Sequence, residues 1–120
     1  MSAVAIIDSG GANIASLQFA LQRLGAESRL TADTDELLAA PRILLPGVGA
    51  AADAMQRLHT LGIAELIPTL RQPVLGICLG MQLLFERSEE GDTRCLGILP
   101  GHVRRFPVRA GLPVPHMGWN

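Results

Sequence analysis

Short β-branched runs alternate with stretches of helical periodicity from the first residues onward, which signals βαβ units rather than hairpins. Residues 4–7 predict a first strand. From Asn13 the apolar residues Ile14, Leu17, Leu21 and Leu24 recur at spacings of three and four. That is one face of a helix, with Asn13 as its N-cap and Gly25 as its stop. Residues 27–30 suit a second strand, and residues 31–40 supply cap-type Thr and Asp before a short Leu-Leu-Ala-Ala helix ending at Pro41. Residues 43–45 predict the third strand. Helical pieces at 50–58 and 63–70, broken at Gly62, lead to a fourth strand over 74–77, opened by Pro73 and followed at once by a helix over 79–87. After Ser88, Gly and Pro recur from Gly97 to Pro115, a texture that suits short antiparallel strands and loops. The chain is expected to form a single α/β domain over residues 1–120, an open and mostly parallel sheet flanked by helices.

Composition narrows what such a domain does. With 120 residues, 48% of them apolar and 18% charged, the chain fills one core and not two. Ten arginines, no lysine and eleven acids leave a formal charge of −1, so no basic field exists to hold nucleic acid or an anionic bilayer, and neither is an expected partner. Phe19, Phe85, Phe106 and Trp119 are the aromatics, so the core must be aliphatic, as in helix-covered parallel sheets. The start lacks the basic and apolar regions of a signal peptide, and the longest apolar stretch, 73–85, is cut by Gly76, Gly80 and Gln82, short of the ~20 residues of a membrane span. A cytoplasmic protein is expected, with Cys78 and Cys95 reduced.

The chemistry concentrates between the fourth strand and the helix after it. Gly76, Ile77, Cys78, Leu79 and Gly80 have the G-x-nucleophile-x-G form of a nucleophile elbow. The central residue of such a turn is strained, and the flanking glycines let neighbouring backbone pass without a Cβ clash. A sulfur there faces a helix N-terminus, which favours a nucleophilic thiolate. The bland alternative is a buried structural cysteine beside packing glycines. An acyl-transfer cysteine needs oxyanion donors; the Leu79 N–H is the first, and the Pro46, Gly47, Val48, Gly49 loop, at the same carboxyl edge of the sheet, offers a second.

These two motifs, with Met81, Gln82, Leu83 and Leu84 after the elbow, resemble those of triad-type (class I) glutamine amidotransferases. The closing residues Val114, Pro115, His116, Met117, Gly118, Trp119 and Asn120 look like those of the glutaminase subunits of imidazole glycerol phosphate synthases, and the resemblance covers the whole chain. It implies a flavodoxin-like sheet, incomplete at the C-terminus. It also implies attack by Cys78 on the glutamine amide, a γ-glutamyl thioester, and release of ammonia, without metal or cofactor. Val48 and Leu79 would supply the oxyanion N–H groups, Gly47 and Gly49 would let the loop adjust, and Gln82 and Glu90 would hold the amino-acid end of the substrate. Gln82 as a helix-surface amide and Glu90 as one charge in a solvated run are the ordinary alternatives.

The resemblance further implies a partner, a (β/α)8 cyclase subunit that consumes the ammonia in histidine biosynthesis. Asn13, Trp119 and Asn120 are the interface candidates; an N-cap role for Asn13 and a core role for Trp119 stand beside them. The loop from Asp8 to Asn13 departs from the family pattern, with Ser9 where a tyrosine is usual and Ala12 where a glycine is usual. The family's general base and its carboxylate lie downstream of the Gly-Trp-Asn segment. His59, His102 and His116 do not stand in that context, and none is assigned as the base. The sequence is therefore expected to be the front part of a longer glutaminase, with a catalytically silent docking module as the alternative.

Overall fold

The computed structural model describes residues 3–10 and 13–118. Four strands, β1 (Ala3–Ile7), β2 (Glu27–Thr31), β3 (Ile43–Gly47) and β4 (Val74–Cys78), form a parallel sheet in the order β2-β1-β3-β4. The register sets Leu30 beside Ile6, Ile6 beside Leu44 and Leu44 beside Leu75, an apolar row across one face. Because side chains alternate along a strand, Ala5, Ile7, Ile43 and Leu45 point to the other face.

Each crossover carries a helix, as parallel pairing demands. These are α1 (Ile14–Arg23), α2 (Thr34–Ala39), and α3 (Ala51–Thr60) with α4 (Ile63–Leu66) and a 3₁₀ turn over Ile67–Thr69; α5 (Leu79–Gln82) follows β4. Asp33 caps α2 by accepting from Asp35 N at 2.8 Å and Glu36 N at 3.1 Å, and Gln72 Nε2 closes its other end on the Leu37 and Ala40 carbonyls. The main core lies on the Ala5 face, where Ala54, Met55 and Leu58 of α3 meet Leu45, Ile63, Ile67, Leu79 and Leu83. On the row side α1 contributes half-buried Ile14, Leu17 and Leu21, while Leu24, expected on the same buried face, is exposed at its C-cap.

Beyond β4 the chain departs from the expected helix over 79–87, because α5 stops at Gln82. The carbonyls of Leu83, Phe85 and Glu86 accept instead from Leu96 N at 2.8 Å, Gly97 N at 2.9 Å and Cys95 N at 2.9 Å, and Leu84 O takes Ile98 N and Leu99 N. A distant segment thus takes the acceptors that further helical turns would use. A small second sheet follows: β5 (Arg87–Ser88), β6 (Thr93–Arg94) and β7 (His102–Val103), in the order β6-β5-β7. The β5–β6 pair is antiparallel as expected, but β7 adds parallel to β5, since the 95–101 loop carries the chain back to where β5 begins. Among the described residues no helix is long and apolar enough to cross a membrane.

Candidate active site

Strand β4 delivers Cys78 to the carboxyl edge of the sheet, and α5 begins at the next residue. Cys78 has φ 57° and ψ −120°, a left-handed backbone in a residue that carries a Cβ. Such a conformation costs about 1–3 kcal/mol and persists only where the surroundings over-determine it. Here close packing does so. A Cβ on Gly80 would be driven into the Leu45 carbonyl of β3, and one on Gly76 would lie 2.7 Å from Met81 Cα. The first turn of α5 is therefore pressed against both strands, the chain must turn sharply at residue 78, and the Cys78 side chain is left exposed.

The same packing brings the two predicted oxyanion elements together. Register pairs Gly47 with Cys78 at the ends of β3 and β4. An ideal Cβ on Gly47 would meet Gly80 N at 3.0 Å and Leu79 Cβ at 3.2 Å, a tight fit that would have to give by a few tenths of an ångström. The loop then continues through half-exposed Val48 and Gly49, whose φ is 89°, to α3. As the first residue of α5, Leu79 presents an N–H without an intrahelical acceptor. α5 is a single turn, so the dipole of a long helix does not stand behind Cys78, and the Cys78 side chain makes no cap hydrogen bond to it.

Gln82 and Glu90 line one cleft of about 530 Å³, together with Ser88, Glu89, Arg104 and Arg105. Cys78 is not part of that lining. Glu90 is not simply one charge in a solvated run, because its Oε1 accepts the Ala51 N–H at 2.7 Å. Asn13 caps α1, its Oδ1 accepting from Ser16 N at 3.4 Å. Ser9 is buried, and its carbonyl accepts from Arg57 Nε of α3 at 2.6 Å, so α3 joins the loop after β1 to the loop after β3. Periodicity marks the apolar side of α3 but is silent about Ala51 and Arg57, whose roles come from partners far away in the chain. Of the histidines, His59 Nδ1 lies 2.8 Å from Glu65 Oε1, and that contact holds the Glu65 carboxyl below its ordinary value. Trp119 and Asn120 lie outside the described residues.

The chain is 57% identical over 120 residues to the imidazole glycerol phosphate synthase subunit HisH of Xanthomonas euvesicatoria pv. vesicatoria (strain 85-10) and 58% identical to that of Xylella fastidiosa (strain Temecula1). It is covered completely in both cases and spans 60% of the length of each relative. A solved glutamine amidotransferase superposes with a TM-score of 0.73 at 21% identity, over 85% of this chain and 56% of its own. A Listeria monocytogenes protein described as a putative peptidase E reaches 0.67 at 16% identity, over 82% of this chain and 63% of its own, so the same fold recurs under another description. Residues 5–120 match the class-I glutamine amidotransferase family, and the chain belongs to it.

Proposed function

We propose that the chain carries the glutaminase half of an imidazole glycerol phosphate synthase. The Cys78 sulfur attacks the side-chain amide carbon of glutamine, and the oxyanion that forms is met by the N–H groups of Leu79 and Val48. Gly47 and Gly49 let the loop bring its N–H to the reacting oxygen. Collapse of the tetrahedral intermediate expels ammonia and leaves a γ-glutamyl thioester, and water then releases glutamate and regenerates the thiol. Gln82 and Glu90 hold the amino-acid end of the substrate, the carboxylate of Glu90 pairing with its ammonium. Ammonia passes to a (β/α)8 cyclase subunit, docked through Asn13, Trp119 and Asn120. The general base is not assigned to His59, His102 or His116.

One observation carries this reading: an exposed Cys78 at positive φ, locked between close-packed glycines and in register with Gly47. The test is ammonia release from glutamine by the full-length protein together with its cyclase. Cys78→Ala is expected to lower turnover by about 10⁴-fold or more while the complex still assembles. Retained turnover would remove Cys78 from the mechanism.

A further inference from the structure

Glu90 makes a contact that its place in the sequence gives no reason to expect. Its Oε1 reaches the Ala51 N–H at 2.7 Å across 39 positions of chain. Ala51 is the first residue of α3, and Ala50 at the N-cap has no side-chain oxygen to offer. The imported carboxylate therefore satisfies an N–H that the helix leaves orphaned, at the end where negative charge is favoured. The backbone of Glu90 is held from both sides, its N–H donating to Ser88 Oγ at 3.2 Å and its carbonyl accepting from Thr93 Oγ1 at 2.9 Å. Ser88 and Thr93 are both buried. Gly91 rests on α3, a Cβ there lying 3.6 Å from Ala52 Cβ. The turn around Glu90 is thus docked on the start of α3.

Ala51 immediately follows residues 48–50, so this contact fixes one end of a loop that begins after Gly47, which is in register with Cys78. The same side chain lines the cleft shared with Gln82. The bond to Ala51 engages Oε1 of this carboxylate. We propose that Glu90 couples the glutamine cleft to the oxyanion loop: one carboxylate oxygen caps α3 and positions the loop, while the other receives the ammonium of the substrate. This rests on the glutaminase reading above. Glu90 is exposed, so with the cleft empty water competes for the cap; an ammonium in the cleft pins the carboxylate in place. By linkage, a firmer cap strengthens ammonium binding by the same factor.

The test is steady-state glutaminase kinetics on the full-length protein with its cyclase, for Glu90→Gln, Glu90→Ala and a double variant that combines Glu90→Ala with Ala50→Ser. Hydrogen exchange at the Ala51 amide is followed in a Cys78→Ala background, so that added glutamine is not consumed. Glu90→Gln keeps an acceptor but loses the charge, and is expected to raise KM about tenfold with kcat within about threefold. Glu90→Ala loses both, and kcat should fall by about a further tenfold. In the double variant the hydroxyl introduced by Ala50→Ser supplies a local cap to the next N–H groups of α3, restoring kcat and leaving KM high. Glutamine should slow exchange at Ala51 when Glu90 is present and not in Glu90→Ala.

Equal kcat for folded Glu90→Ala and Glu90→Gln would overturn the coupling, as would a folded double variant whose kcat is not restored. If Glu90→Ala does not fold, the kinetic split in Glu90→Gln and the response of Ala51 exchange to glutamine decide the matter. If the wild-type protein is active and Ala51 exchange in the Cys78→Ala protein with Glu90 intact ignores glutamine, the coupling alone is overturned. A wild-type complex that neither binds nor hydrolyses glutamine overturns the glutaminase reading and the coupling with it.

Discussion

Cys78 and Cys95 carry the same thiol in opposite settings. Cys78 stands at a strand-to-helix turn with φ 57° and an exposed side chain. Cys95 is buried to 8% exposure in the main core, and its Sγ donates to the Thr93 carbonyl at 3.6 Å. Burial pushes the Cys95 thiol above its ordinary value of 9.0, against a smaller opposing pull from the nearby Arg87 charge. What separates a candidate nucleophile from a structural thiol here is backbone conformation and access, both of which the neighbours impose.

The largest effect is expected where the elbow is held. Gly80→Ala drives a Cβ into the Leu45 carbonyl, which is backbone and cannot swing aside. It should cost about 3 kcal/mol or more in urea or thermal unfolding, against about 1–2 kcal/mol for Cys95→Ala. A Gly80→Ala variant within about 0.5 kcal/mol of wild type would mean that this packing does not fix the turn. Next, iodoacetamide at mildly alkaline pH should label Cys78 roughly a hundredfold faster than Cys95, because labelling Cys95 must wait for local opening. Comparable rates by peptide mass spectrometry would erase the distinction.

Strain at residue 78 gives a smaller signal of opposite sign. Cys78→Gly should be about 1 kcal/mol more stable than Cys78→Ala, since relief of the positive φ outweighs the extra entropy of an unfolded glycine. An alanine variant as stable as the glycine variant would show that the turn stores no strain. The smallest effect follows from Cys95. Its thiol binds the proton more tightly folded than unfolded, so its stabilising contribution is complete below the ordinary thiol value and is lost as pH rises through the higher folded value. Stability curves above about pH 9 should therefore fall more steeply for wild type than for Cys95→Ala, and parallel curves would contradict the burial of the thiol.

Much of the molecule was legible in local pattern. The four strands and α1 to α3 lie within a few residues of the expected positions, because alternation, caps such as Asn13 and Asp33, and breaks such as Gly62 act over one or two turns. The elbow was legible for the same reason, its glycines standing two residues either side of Cys78. The early end of α5 was not, since the segment 95–99 takes the acceptors that a longer helix needs. Nor was the parallel addition of β7, which depends on where a loop returns the chain. Glu90 reads as one more charge in an acidic run until Ala51 is placed beside it.

The class of fold, the order of its elements and the position of the elbow cysteine are written in contiguous residues, as hydrophobic period and glycine spacing. The strand order β2-β1-β3-β4, the pairing of Gly47 with Cys78 and the cap that Glu90 lends to α3 emerge from the folded chain. Each of these joins residues that lie far apart in the chain. Such contacts form only when burial of the shared core brings distant segments together and every buried polar group must find a partner.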